Sequence, residues 1–159
     1  DDLTFQFNES IKNQTPLVYE DTDWLGDTNF DTNFSIFKKE IMNRIPKVEK
    51  LKNAINNIYR NEIPNEAQFT DPFQYWRFNI LVNKKEMLLK KIFSSGLFAS
   101  SHYYPVNIMF NQPSPPNAQK LYDHVINLFS DFRFGPKKAE KISKIVKTHI
   151  KLFGIAKLN

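Results

Sequence analysis

The chain contains no cysteine. Disulfides, thiolate nucleophiles, cysteine-type zinc sites and iron–sulfur ligation are therefore excluded from its chemistry. Glycine is scarce, with only Gly26, Gly96, Gly135 and Gly154 in 159 residues. Neither of the common glycine-rich phosphate loops, G-x-G-x-x-G or G-x-x-x-x-G-K, can be written with them. His102, His124 and His149 are too scattered for a local metal motif. No apolar run approaches the roughly 20 residues of a membrane-spanning helix. The amino terminus, Asp1-Asp2, is acidic where a secretory or organellar leader would be basic. A cytoplasmic protein with no membrane partner is the expectation, and an opening residue other than Met suggests a chain processed or cut from something longer.

Aromatic residues are abundant: fifteen Phe, six Tyr and two Trp. Each buries a large area, so a real core is within reach at this length. The net charge of +5 is unevenly placed. Residues 1–34 carry −7, whereas 35–95 and 96–159 each carry +6. A basic body thus bears an acidic leading segment. Three readings are open: the two fold together, both are solvated faces, or the body meets an anion such as a phosphorylated ligand or nucleic acid.

Residues 1–34 read as an acidic, largely irregular arm, rich in Asn, Asp and Thr, with a short strand at Thr15–Tyr19. Residues 35–159 read as one domain. Within it, 35–61 form a linking helix, since Ile41, Ile45, Val48, Leu51, Ile55 and Ile58 step by three and four. Asn33 or Ser35 can cap its start, and Pro46 should kink or divide it. A sheet-and-helix body follows over 74–152. Phe78, Ile80 and Val82 alternate as a strand, and Trp76 extends their set. Asn83 is placed to cap a helix over 84–95, ended by Gly96. Leu97–Tyr104 reads as a second strand, 117–124 as a helix and 126–129 as a short extended segment. Gly135-Pro136 opens a last helix with a lysine-rich outer face. The expected fold class is α+β: a two-layer sandwich with a small, mostly antiparallel sheet packed against helices, preceded by the long helix.

Candidate chemistry gathers at Ser100-Ser101-His102-Tyr103-Tyr104-Pro105, where polar groups crowd a strand end. His102 can take or give a proton near neutral pH, and a tyrosine can stack its ring while its hydroxyl bonds a sugar or phosphate. No Asp or Glu lies near His102 in sequence, so a Ser–His–acid hydrolase has no local support. His124 and His149 sit in amphipathic helices and read as structural. Lysines on the last helix have no interleaved aromatics, and no pattern of a known nucleic-acid fold appears.

Three stretches resemble the C-terminal small domain of the DegT/DnrJ/StrS-type sugar aminotransferases, which are PLP-dependent. Trp76–Val82 with the following Asn-Lys-Lys-Glu resembles that domain's first strand and helix start. Leu88 to Pro105 resembles its helix, glycine, strand and His-Tyr-x-Pro run. Ala118–Leu128, continuing to Ile142, resembles its closing helix–strand–helix. The close similarity covers under half of the chain, and the helix at 35–61 fits the family's interdomain helix more loosely. The resemblance implies a role in deoxysugar or surface-polysaccharide biosynthesis. It implies a nucleotide-sugar substrate and, for the intact enzyme, PLP and a homodimer. His102, Tyr103 and Tyr104 would then approach the sugar or its phosphates, with Arg77 as a further anion contact. The family's PLP lysine belongs to a large domain for which 159 residues leave no room, so no cofactor is expected in this chain and none of its residues is assigned a catalytic role. The alternative is a non-catalytic binding or assembly module whose basic body meets an acidic partner or nucleic acid.

Overall fold

A computed structural model describes residues 2–17, 33–70, 74, 76–107, 112–113, 115–131 and 133–158. These comprise helices α1 (Asp2–Asn13) and α2 (Phe34–Glu62), strand β1 (Phe78–Leu81), helix α3 (Lys85–Ser94), strand β2 (Ala99–Ser100), helix α4 (Pro116–His124), strand β3 (Val125–Leu128) and helix α5 (Pro136–Phe153). The architecture is α+β, with a small antiparallel sheet packed against helices.

The short segment before α5 is the sheet's centre. β3 pairs antiparallel with β1 on one side and β2 on the other, so that Phe78 and Ala99 both face Leu128. Alternation in β1 buries Phe78 and Ile80, and Val82 continues the set past the strand's end. With Ile126, Leu128 and Ala99 they meet Ile55 and Tyr59 of α2, Leu88 and Ile92 of α3, and Ala139, Ile142 and Val146 of α5. α5 packs chiefly on α2 and α3. Its buried positions recur at three- and four-residue steps from Ala139 to Ile150, which leaves the lysines outside. Gly135 precedes Pro136 at φ +72°, a conformation that residues with a side chain rarely adopt.

Several expectations are corrected. Residues 2–13 are helical rather than irregular. Thr15–Leu17 form no strand, and Val18 and Tyr19 lie outside the described residues, as do 20–32. Pro46 does not divide α2, which runs unbroken for 29 residues. Asn33 is its cap, the side chain accepting from the Ser35 N–H at 2.9 Å. Asn83 does not cap α3. Lys84, at φ +51°, takes that position, while the Asn83 side chain donates to the Phe153 carbonyl at 3.0 Å and ties α5's end to β1. The second strand shrinks to Ala99–Ser100.

α2 is covered over only half its length. Its carboxyl-terminal half buries Ile55, Asn56 and Tyr59. Residues 34–50 are exposed throughout, although Phe34, Ile36, Phe37, Ile41, Met42, Ile45 and Val48 are apolar. No helix among the described residues is long and apolar enough to cross a membrane.

Candidate functional site

The face of the sheet turned away from the helical core is polar at its middle. Asn79 and Asn127 are register partners there. The Asn127 amide donates to Asn79 Oδ1 at 2.7 Å, and its own carbonyl oxygen accepts the His102 backbone N–H at 2.7 Å. Gln74 clamps the same strand, accepting from the Asn79 N–H at 2.5 Å and donating to the Phe69 carbonyl at 2.9 Å. These bonds explain why amides occupy strand positions that would otherwise be apolar. They anchor the chain leaving β2 against the chain entering β1.

That anchoring brings three rings together. Trp76 and Tyr103 stack nearly parallel, with centroids 5.9 Å apart and planes at 11°. The His102 ring lies 4.9 Å from Tyr103 and 5.8 Å from Trp76. Trp76 is 51% and Tyr103 67% exposed, so the stack presents its surface to solvent instead of filling the core. This corrects the placement of Trp76 with the buried strand set. Trp76 sits two residues ahead of the strand proper, in register with its buried side, and that register pointed to burial.

Arg77 adds charge beside the rings. Its guanidinium lies 4.9 Å from the Trp76 ring and 3.6 Å from the Phe129 ring. It pairs with Asp131 at 3.4 Å, while its buried Nε has no hydrogen-bond partner among the described residues. Lys52 of α2 donates to the Trp76 carbonyl at 3.3 Å. Desolvation, then Arg77, hold the Lys52 ammonium below its ordinary pKa, against an opposing pull from Asp131. Desolvation and Arg77 likewise hold His102 below the usual imidazole value. Arg77 and Lys52 therefore share one carboxylate, Asp131, and their mutual repulsion marks a place that favours an added anion. His102 stays neutral at pH 7, with one ring nitrogen to donate and one to accept.

Tyr104 belongs elsewhere. It meets Tyr122 edge-to-face at 5.1 Å. The Tyr122 ring in turn lies 3.7 Å from the Lys85 Nζ, which donates to Ser101 Oγ at 2.9 Å and to the Tyr122 carbonyl. Lys85 is 5% exposed, and desolvation lowers its pKa. Of the four residues expected to touch a ligand, the fold thus joins Arg77, His102 and Tyr103 and sets Tyr104 apart. His124 and His149 bond the carbonyls of Val82 and Asn83, at 3.2 and 2.8 Å, which matches a structural role.

A groove of about 870 Å³ along α2 leads toward the platform. Ile41, Ile45 and Val48 line its apolar part, and Lys52, Asn56 and Gln74 its inner end. The Asn56 Oδ1 is buried there without a hydrogen-bond partner among the described residues.

PLP requires a lysine free to form an imine, an acid opposite the pyridine nitrogen and a cradle for the phosphate. Lys85 is the lysine most removed from water, and its amine is engaged by Ser101 and the Tyr122 carbonyl. Its surroundings do not fit the cofactor, and no step is derived through PLP in this chain. No group of three or more His, Cys, Asp or Glu that could hold a metal occurs among the described residues. No protein-family profile, curated protein or solved structure matches the chain.

Proposed function

We propose that this chain is the substrate-side domain of a nucleotide-sugar aminotransferase-like protein of deoxysugar or surface-polysaccharide biosynthesis, working in the cytoplasm where nucleotide sugars are made. The observation that carries the reading is the solvent-facing Trp76–His102–Tyr103 stack flanked by Arg77 and Lys52. A nucleotide sugar has what such a surface selects: flat faces for the rings and a diphosphate for the cations. His102, uncharged, is suited to a sugar hydroxyl. Amino transfer itself would be the work of PLP held by a separate large domain, in a homodimer for the intact enzyme. The uncovered apolar half of α2 supports that division of labour, because a helix face of this kind is normally sealed by another surface.

The test is fluorescence titration of the full chain with UDP-glucose and dTDP-glucose, in a Trp24→Phe background so that Trp76 alone reports. Saturable quenching that His102→Ala weakens is the expected outcome. Titration to millimolar concentrations without quenching would overturn the reading.

A second reading rests on α2 itself. Residues 34–50 combine the apolar stripe with Lys38, Lys39, Arg44, Lys47 and Lys50 against only Glu40 and Glu49. An assembly module that meets an acidic partner or nucleic acid has this character. Tight, steeply salt-dependent binding to duplex DNA or RNA, with no response to nucleotide sugars, would favour it.

A further inference from the structure

α3 and α5 run antiparallel. Lys141 Nζ at one end of the pair donates to the Ser95 carbonyl at 3.0 Å, and Asn83 at the other end donates to the Phe153 carbonyl. Between them lies an open groove of about 520 Å³ that shares no residue with the aromatic platform. The helix direction gives the groove two unlike ends. Lys91 and Lys144 stand at one, and Met87, Leu152 and Phe153 at the other, with Ile145 between. Met87 is 52% and Leu152 71% exposed, far more than their side chains favour. No carboxylate lines the groove, and neither lysine ammonium has an acidic partner among the described residues. The polar groups along its wall are already spoken for: Thr148 Oγ1 bonds the Lys144 carbonyl at 2.9 Å, and His149 Nε2 bonds the Asn83 carbonyl. What the groove offers is an apolar trough closed at one end by two exposed lysines, of which Lys144 also borders a neighbouring cavity with Glu62 and Glu140.

We infer that this groove binds a single-chain anionic amphiphile, its alkyl chain along Met87, Ile145, Leu152 and Phe153 and its carboxylate or phosphate head at Lys91 and Lys144. The charge pattern selects the occupant. A neutral apolar segment would gain nothing from the two exposed ammonium groups, and a cationic one would be repelled. The inference is independent of the nucleotide-sugar reading and survives its failure.

The experiment titrates the full chain with decanoate below its micellar concentration, following methyl resonances of Met87 and Leu152. Saturation at one site is expected. The Lys91→Ala/Lys144→Ala variant should bind decanoate about fivefold more weakly, as two solvent-exposed ion contacts allow. These lysines are exposed, so the variant keeps its fold, and decyltrimethylammonium should bind worse than decanoate. Absence of saturation, equal binding by the double variant, or equal binding of the cationic chain overturns the inference. So does recruitment to phosphatidylglycerol vesicles without any response to monomeric decanoate, which would make the face a membrane contact.

Discussion

At the residue scale, Tyr59 shows how one side chain holds the two layers together. Its ring is wholly buried and 5.0 Å from Phe78, and its hydroxyl donates to the Phe129 carbonyl at 2.7 Å. Tyr59→Phe keeps the ring and orphans that carbonyl, so unfolding by urea should show a loss of about 1–2 kcal/mol. Burial, with a smaller push from Asp131, raises the phenol's pKa far above its ordinary value. The unfolded chain therefore releases this proton above pH of about 10 while the folded chain keeps it. Folding then binds the extra proton, and stability falls as pH rises through that range. Stability curves of wild type and Tyr59→Phe should converge at alkaline pH, and parallel curves would contradict the assignment. His102 works in the opposite sense. Its lowered pKa means that the unfolded chain binds the extra proton, so its contribution weakens as pH drops below about 6.5. Replacing His102 by Gln should flatten the acid limb of the stability profile.

Residue identity also decided how far the site was legible. His102, Tyr103 and Arg77 were recognisable by chemistry, and the fold brings them together. Tyr104 was indistinguishable from Tyr103 in a run of like residues, and only the turn of the chain after Ser101 sends it to Tyr122. Lys85 passed unnoticed among 22 basic residues, yet it stands three, four and seven residues before Leu88, Leu89 and Ile92 on the buried stripe of α3. A lysine in register with an apolar stripe is the signal that could have found it.

Among the elements, Lys85 joins three of them: the start of α3, the chain leaving β2 and the end of α4. Lys85→Met preserves the volume of the stem but leaves the Tyr122 carbonyl without its donor. A loss of about 1–3 kcal/mol is expected by chemical denaturation. An unchanged midpoint would mean that the amine is solvated rather than bonded. α2 makes a second element-scale claim. Its carboxyl-terminal half is held by the core and its amino-terminal half by nothing among the described residues. Isolated helical turns are marginal in water, and Pro46 removes one backbone bond. Backbone amides of 38–50 should therefore exchange with deuterium much faster than those of 51–62 in the isolated chain. Equal protection would show that the stripe is covered. The periodicity that located this helix carried no mark of where cover ends, because Ile41, Ile45 and Val48 step exactly as Ile55 and Tyr59 do.

For the whole molecule, the α+β class and the order of the elements from α2 onward followed from hydrophobic period and punctuation, whereas α1 was read as irregular. The sheet's pairing did not follow, because a four-residue segment at Val125–Leu128, apolar but for Asn127, is equally a buried edge or a buried centre. Its central position rests on non-local pairing with both neighbours. The same pairing sets Asn79 against Asn127, and through them sets His102 beside Trp76. The aromatic platform is thus a product of topology more than of any local motif. Its claim to bind a nucleotide sugar is tested most directly by aromatic-ring NMR during titration with UDP-glucose. The account expects ring resonances of Trp76, His102 and Tyr103 to shift together and saturate, with Tyr104, packed on Tyr122, unmoved. No shift at Trp76 and Tyr103, or a response confined to Tyr104 and Tyr122, would contradict it.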